Sequence, residues 1–110
     1  MTESRGLDEE SPPQTPTARP GAIVRVIPIV NQKGLHARAS ARFVQLVEKF
    51  DADVRVSRGG ETVGGTSIMG LMMLAAGPGT EIWVEATGKE AAEVIAALQK
   101  LIANRFEEED

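Results

Sequence analysis

The sequence contains no cysteine, which excludes disulfide bonds, thiol chemistry and cysteine-ligated zinc. It has one histidine, so a transition-metal site would have only carboxylates as further ligands. No apolar run approaches the roughly 20 residues that a membrane-spanning helix needs, and residues 1–21 show no apolar run of the kind found in a secretory signal. We therefore expect a soluble, cytoplasmic protein without a membrane segment, metal or cofactor.

An excess of positive charge is also missing, because the formal net charge is −4. Residues 22–106 carry ten basic and eight acidic side chains, whereas both ends of the chain are acidic. Only Trp83 and three phenylalanines could stack on bases. This balance argues against a protein that binds nucleic acid.

The composition divides the chain into three parts. Residues 1–21 hold four of the six prolines and, after Met1, a single large apolar residue, Leu7, which predicts a disordered, acidic, proline-rich tail. Residues 22–106 are long enough and apolar enough to form one domain with one core. Residues 107–110 are all acidic and are expected to form a short C-terminal tail.

Apolar periodicity predicts an alternating β-α-β-β-α-β-α order in the middle part. The predicted strands are residues 23–30, 53–57, 61–64 and 81–87. The predicted helices are residues 37–50, 68–75 and a third that opens at a capping box over 87–90 and ends near 106. Pro28 cannot donate to a ladder and places the first strand at a sheet edge. Several strands have one polar face that is expected to lie in water, and Glu85 belongs to such a face. This pattern indicates an antiparallel sheet with every helix on its other side.

His36 begins the first predicted helix, and this position has a chemical consequence. The first amides of a helix lack intrahelical acceptors and the helix dipole favours negative charge there, so an anion would be stabilised beside the imidazole. Arg38 adds a guanidinium whose geometry suits phosphate oxygens. A neutral imidazole could attack a phosphoryl donor at such a site. Position alone also allows an ordinary, partly exposed polar residue.

Two motifs decide between these interpretations by resemblance. Residues 34–38, Gly-Leu-His-Ala-Arg, resemble the active-site segment of the HPr family, the histidine-containing phosphocarriers of the bacterial phosphotransferase system. Residues 67–72, Ser-Ile-Met-Gly-Leu-Met, resemble the regulatory-serine segment of that family. The resemblance implies an α+β, open-faced β-sandwich whose four-stranded antiparallel sheet has the order 1-4-2-3, with three helices on one face.

The same resemblance implies a function and partners. An enzyme I-type protein charged from phosphoenolpyruvate would phosphorylate His36 on Nδ1, with Arg38 stabilising the phosphate, and an enzyme IIA-type protein would accept the group on a histidine. The chain would be a monomeric carrier, not an enzyme. The family commonly has proline where this sequence has Ala39, and the Ala39-Ser40 pair is similar to the nitrogen-related branch of the system, although the sugar branch stays open.

Ser67 has two interpretations that are compatible with each other. As the residue before a helix it is a typical N-cap. The resemblance implies regulatory phosphorylation by an HPr kinase/phosphorylase, although Thr66 stands where many regulated members have lysine.

The short second helix is rich in methionine, which is more often a feature of a core, and Met73 is a candidate core residue. A helix this short must also leave one face in water, and methionine suits a surface that meets several partners. We therefore predict that part of this helix joins arginines of the first helix in a docking face, at Ile68, Met69, Met72, Arg38 and Arg42. Gly70 is explained in this hypothesis by the close approach of a partner. The alternative function is a regulatory binding module of the same fold, in which His36 stays unmodified.

Overall fold

The computed structural model describes residues 18–108, so the predicted N-terminal tail lies, up to residue 17, outside the described residues. The elements, in chain order, are β1 (Ile23–Pro28), α1 (Ala37–Val47), β2 (Asp53–Arg58), β3 (Glu61–Gly64), α2 (Ile68–Met73), β4 (Glu81–Thr87), α3 (Ala91–Ala103) and a short 3-10 turn (Arg105–Glu107). The predicted β-α-β-β-α-β-α order is therefore confirmed.

The four strands form one antiparallel sheet in the order β1-β4-β2-β3, which confirms the predicted 1-4-2-3 topology. β1 is an edge strand, as the proline indicated, and Pro28 pairs with Glu81 at its last position. β4 pairs with both β1 and β2 and is therefore an inner strand. This arrangement gives an open α+β sandwich with the three helices against one sheet face.

Alternation along the strands and helical spacing along α1 and α3 build the core. Its fully buried side chains include Phe43, Val56, Ile82, Val84, Val94, Leu98 and Ile102. Each large apolar side chain removed from water contributes about 1.5–3 kcal/mol. Among residues 18–108, no helix is both long enough and apolar enough to cross a bilayer.

On the other face of the sheet, Arg19 joins two strands by its side chain. Its guanidinium pairs with Glu85 of β4 and Asp53 of β2, and its backbone N–H also donates to Glu85, at 3.0 Å. Glu85 is therefore only 7% exposed, and the prediction that it faces water is wrong. Burial opposes ionisation of this carboxyl, but the hydrogen bonds from Arg19 outweigh burial and lower the pKa of Glu85 below its ordinary value.

The ends of the helices differ from the predictions. The capping box over residues 87–90 is wrong, because Thr87 still pairs with Asp53 in the sheet and α3 begins only after Glu90. The Glu90 carboxylate instead accepts a hydrogen bond from the Asp51 N–H at 2.7 Å. α1 ends at Val47, because its next residues tighten into a turn. α3 ends at residue 103, before three residues with positive φ at 105–107.

Candidate functional site

The loop that carries His36 runs from β1 to α1 and is fixed to the segment before β4. The Leu35 N–H donates to the Ala76 carbonyl at 2.9 Å, and the Ile29 N–H donates to the Thr80 carbonyl at 2.8 Å. Leu35 and Ile29 are both buried in the core. The histidine that follows is therefore held by the fold on one side and presented to solvent on the other.

Gly34 is required at this point of the loop. Its φ is +64°, and a Cβ there would lie 2.3 Å from the Ala76 carbonyl oxygen. Any other residue would meet both a strained backbone and a clash with backbone atoms. The glycine thus allows the His36 loop to lie directly against the neighbouring segment.

Asn31 is a buried polar residue that the sequence reasoning missed. It is 0% exposed, and its Nδ2 donates to the Gly34 carbonyl at 2.8 Å and approaches both carboxylate oxygens of Glu108, at 3.2 and 3.3 Å. Among residues 18–108 its Oδ1 finds no hydrogen-bond partner. The sequence signal that could have revealed this role is the asparagine three residues before a glycine. At this spacing the asparagine side chain can hydrogen-bond to the backbone of the turn that it begins.

His36 occupies the N-cap position of α1 with an extended backbone, at φ −77° and ψ −176°. Within the described residues its side chain makes no capping hydrogen bond, so the first amides of α1 stay available for an anion. Its Nδ1 lies 3.1 Å from the Gly34 carbonyl oxygen and its Nε2 lies 3.2 Å from Glu108 Oε2. The imidazole is 31% exposed and can be reached from solvent.

Two arginines of α1 lie on the same side as the imidazole. Arg38 is exposed, and Arg42 donates to the Phe106 carbonyl at 3.1 Å and to Glu107 Oε1 at 2.9 Å. Both line a surface pocket of about 870 Å³, together with Gln32, Lys33, His36, Ala37, Glu107 and Glu108. The pocket therefore combines an imidazole, an ammonium, two guanidinium groups and two carboxylates.

Ser67 is the N-cap of α2, as its position in the sequence predicts. Its Oγ accepts a hydrogen bond from the Gly70 N–H at 2.9 Å, and the residue is exposed. The hydroxyl is therefore both a helix cap and open to modification from solvent.

The predicted docking residues of α2 are exposed but do not line the pocket beside His36. The exposed fractions are 39% for Ile68, 67% for Met69 and 38% for Met72. Met73 is 70% exposed, so the prediction that it belongs to the core is wrong. α2 packs against α1, which carries Arg38 and Arg42.

Gly70 has an explanation inside the protein. A Cβ at this position would lie 2.9 Å from Ser67 Oγ and 2.9 Å from Val63 Cβ of β3. The close packing of α2 on β3 and on its own cap therefore accounts for this glycine without a partner.

Fold and site together define a small α+β protein that presents one histidine at the open N-terminus of a helix. Comparison with known proteins places the chain in a family. A family model described as the PTS HPr component phosphorylation site matches residues 23–104. The chain therefore belongs to the HPr family.

The relatives agree with this assignment along most of their length. The chain is 51% identical over 80 residues to the phosphocarrier protein HPr of Cupriavidus necator, which covers 73% of this chain and 90% of the relative. It is 48% identical over 83 residues to HPr of Pseudomonas aeruginosa, covering 74% and 92% of the two chains. The crystal structure of HPr-C-His from Thermoanaerobacter tengcongensis superposes with a TM-score of 0.76 at 39% identity, over 80% of this chain and 99% of that one.

Proposed function

We propose that this chain accepts a phosphoryl group on His36 Nδ1 from an enzyme I-type protein charged from phosphoenolpyruvate, and passes it to a histidine of an enzyme IIA-type protein. The observation that carries the proposal is a solvent-accessible imidazole at an uncapped helix N-terminus, with Arg38 and Arg42 along the same pocket. The chain acts as a cytoplasmic, monomeric carrier whose chemistry is completed by its partners, and it is not itself an enzyme.

Phosphoryl transfer to the neutral imidazole leaves the number of protons on the carrier unchanged. The lone pair of unprotonated Nδ1 attacks the phosphorus of the donor, and a new N–P bond forms. The bond between phosphorus and the donor protein breaks, and its electron pair stays on the donor atom. Because Nδ1 now lies 3.1 Å from the Gly34 carbonyl oxygen, the ring must turn away from that oxygen before it attacks.

The phosphoryl group on Nδ1 is held by backbone and side-chain donors. The N–H groups of Ala37, Arg38 and Ala39 belong to the first turn of α1, where the helix dipole favours an anion. Ala39 stands where many members of the family have proline, so this chain keeps one amide that a proline lacks. The Arg38 guanidinium supplies a charge-assisted donor from the exposed side.

Partners dock, in this proposal, on Arg42 of α1 and on Ile68, Met69 and Met72 of α2. These α2 side chains form an exposed apolar surface on a helix that packs against α1. Flexible thioether side chains adapt to different partner surfaces, which suits a carrier that must bind a donor and an acceptor in turn.

Ser67 is the proposed regulatory site, phosphorylated by an HPr kinase/phosphorylase. Its exposed hydroxyl caps α2, so a phosphate there would meet the helix N-terminus and add negative charge beside the docking surface without refolding the helix. A Ser67→Asp variant is expected to slow transfer from the donor, and unchanged transfer kinetics would count against this role.

The Ala39-Ser40 pair favours the nitrogen-related branch over the sugar branch. Both residues are fully buried, and Ser40 Oγ donates to the Leu35 carbonyl at 3.2 Å, so the pair shapes the His36 loop from inside. Rates of phosphorylation by nitrogen-type and sugar-type enzyme I proteins, measured side by side, should favour the nitrogen-type donor. Faster transfer from the sugar-type donor would reverse this assignment.

Intact-mass spectrometry tests the proposal after incubation with phosphoenolpyruvate, magnesium and an enzyme I homologue, with His36→Ala as the control. The expected result is one acid-labile phosphoryl group that is absent from the control. If several active enzyme I homologues give no mass shift, the chain is instead a regulatory binding module with unmodified His36.

A further inference from the structure

The chain turns sharply after α3 and brings its acidic C-terminal residues to the His36 site. Arg105, Phe106 and Glu107 have φ values of 57°, 55° and 63°, and Phe106 is 0% exposed. The buried phenylalanine fixes the turn on the core, and Arg42 also donates to its carbonyl at 3.1 Å. The two carboxylates that follow are thereby directed toward the N-terminus of α1.

The Glu107 and Glu108 carboxylates contact Arg42 and His36, two side chains on which the proposed phosphocarrier function depends. Glu108 Oε2 lies 3.2 Å from His36 Nε2, and the same carboxylate approaches Asn31 Nδ2. Glu107 Oε1 pairs with Arg42 at 2.9 Å. The Glu108 side chain is only 9% exposed, whereas that of Glu107 is 67% exposed, so Glu108 is the more firmly held of the two.

The imidazole in this arrangement lies between two hydrogen-bond acceptors, the Gly34 carbonyl at Nδ1 and the Glu108 carboxylate at Nε2. A neutral imidazole has only one N–H and can satisfy one of these acceptors. When Nε2 carries the proton and donates it to Glu108, the Nδ1 lone pair faces the Gly34 carbonyl oxygen and is not available to an incoming phosphorus atom. The observed contacts therefore describe a resting arrangement and not the nucleophilic one.

We propose that Glu107 and Glu108 act as an intramolecular anion that occupies the His36 site in the resting protein and must leave before a phosphoryl group is accepted. The inference rests on the proposed phosphocarrier function of the same site. The carboxylates compete with the incoming phosphoryl group for Arg42 and for the positive end of α1. They therefore set how readily the carrier is charged.

The expected strength of this competition can be estimated from the solvent exposure of the His36–Glu108 and Arg42–Glu107 pairs. Partly exposed ion pairs contribute a few tenths to about 1 kcal/mol, so removing one charge should change the rate or affinity about 2- to 5-fold. Such a contact is weak enough to exchange during turnover. It should also weaken as the salt concentration rises.

The test uses Glu107→Gln, Glu108→Gln and the double variant, with Glu93→Gln as a matched control on the exposed first turn of α3. Substitution is preferable to truncation, because a chain ending at Phe106 would place its terminal carboxylate beside Arg42. Single-turnover phosphorylation by a charged enzyme I homologue, at a subsaturating donor concentration, should be about 2- to 5-fold faster for Glu108→Gln than for wild type. Glu107→Gln should show a smaller increase, and both increases should shrink at high salt.

A second measurement does not depend on transfer. Titration with inorganic phosphate, followed by NMR at the backbone N–H groups of Ala37 and Arg38, should show tighter binding to Glu108→Gln than to wild type. Equal affinity together with an equal or slower rate of phosphorylation would overturn the inference. If wild type accepts no phosphoryl group at all, the proposed function fails, and the phosphate titration alone then decides whether the carboxylates compete for the site.

Discussion

The two helix N-termini near the candidate site satisfy their backbone amides in different ways. At α2 the N-cap is Ser67, whose Oγ accepts from the Gly70 N–H at 2.9 Å. At α1 the N-cap is His36, whose side chain makes no capping bond within residues 18–108. The amides at the start of α2 are capped by the serine of that helix, whereas those at the start of α1 face a pocket lined by basic side chains and two carboxylates.

This difference separates a structural helix end from one available for ligand binding. A serine cap stabilises a helix by about 1 kcal/mol, and α1 forgoes that stabilisation at His36. The unsatisfied amides can then hold an anion that is present only part of the time, such as a phosphoryl group on the adjacent imidazole. A helix end without a cap, beside basic side chains, is thus more informative about function than either feature alone.

Closing the open end should have the largest effect. His36→Ser removes the nucleophile and supplies a cap, so phosphorylation should fall below detection. The free energy of unfolding should at the same time exceed that of His36→Ala by about 0.5–1 kcal/mol, because serine accepts a first-turn amide and alanine does not. Mass spectrometry and urea unfolding of the two variants measure both effects. Residual phosphorylation of either variant would show that a residue other than His36 accepts the phosphoryl group.

Removing the cation beside the open end should have the next largest effect. Arg38→Ala is expected to slow transfer on the order of 100-fold, since a charged donor to the developing phosphate is lost. Stability should hardly change, because the Arg38 side chain is exposed. Single-turnover kinetics test this expectation, with Arg25→Ala on β1 as a control. A rate equal to that of wild type would assign phosphate binding to the first-turn amides and Arg42.

Removing the serine cap of α2 should have a smaller effect, on stability and not on phosphoryl transfer. Ser67→Ala should lower the free energy of unfolding by about 1 kcal/mol through loss of the cap, while leaving the first-turn amides of α1 untouched. Transfer to His36 should proceed at close to the wild-type rate when measured well below the melting temperature. Thermal unfolding and transfer kinetics on one preparation distinguish the two effects. A large loss of transfer with unchanged stability would give Ser67 a direct role at the site.

The ion pairs of Arg19 show how charges behave where they serve the fold. The pKa of Glu85 is lowered in the folded protein, so its contribution to stability is present above its unfolded pKa and is lost as pH falls through the folded value. Arg19→Ala should therefore cost about 1 kcal/mol at neutral pH and much less in acid. Urea unfolding at several pH values tests this expectation. A difference that does not depend on pH would assign the effect of Arg19 to packing.

Much of the fold could be predicted because its signals are local. The alternation in β4 and the proline of β1 predicted the strands and the sheet edge, and His36 was placed correctly at the start of a helix. The errors depend on contacts between distant parts of the chain. Thr87 pairs across the sheet with Asp53 instead of capping α3, and Arg19 covers Glu85 from outside the predicted domain.

The candidate site shows the same limit. His36, Arg38 and Ser67 were predicted from short motifs, whereas the contacts of Asn31 and of the two C-terminal glutamates were not. The glutamates reach the site only through a left-handed turn at three residues that are not glycine, which local propensity disfavours. Burial of Phe106 stabilises that turn, and no local pattern reports it.

The most direct test of the central claim is phosphorus–nitrogen correlation NMR on the phosphorylated protein, with its single histidine labelled with a nitrogen isotope. We expect a phosphorus signal coupled to His36 Nδ1, together with large shifts of the backbone N–H groups of Ala37 and Arg38 and little change at the capped Gly70 N–H. A phosphorus signal with no coupling to the histidine would contradict the claim that the open end of α1 carries the phosphoryl group.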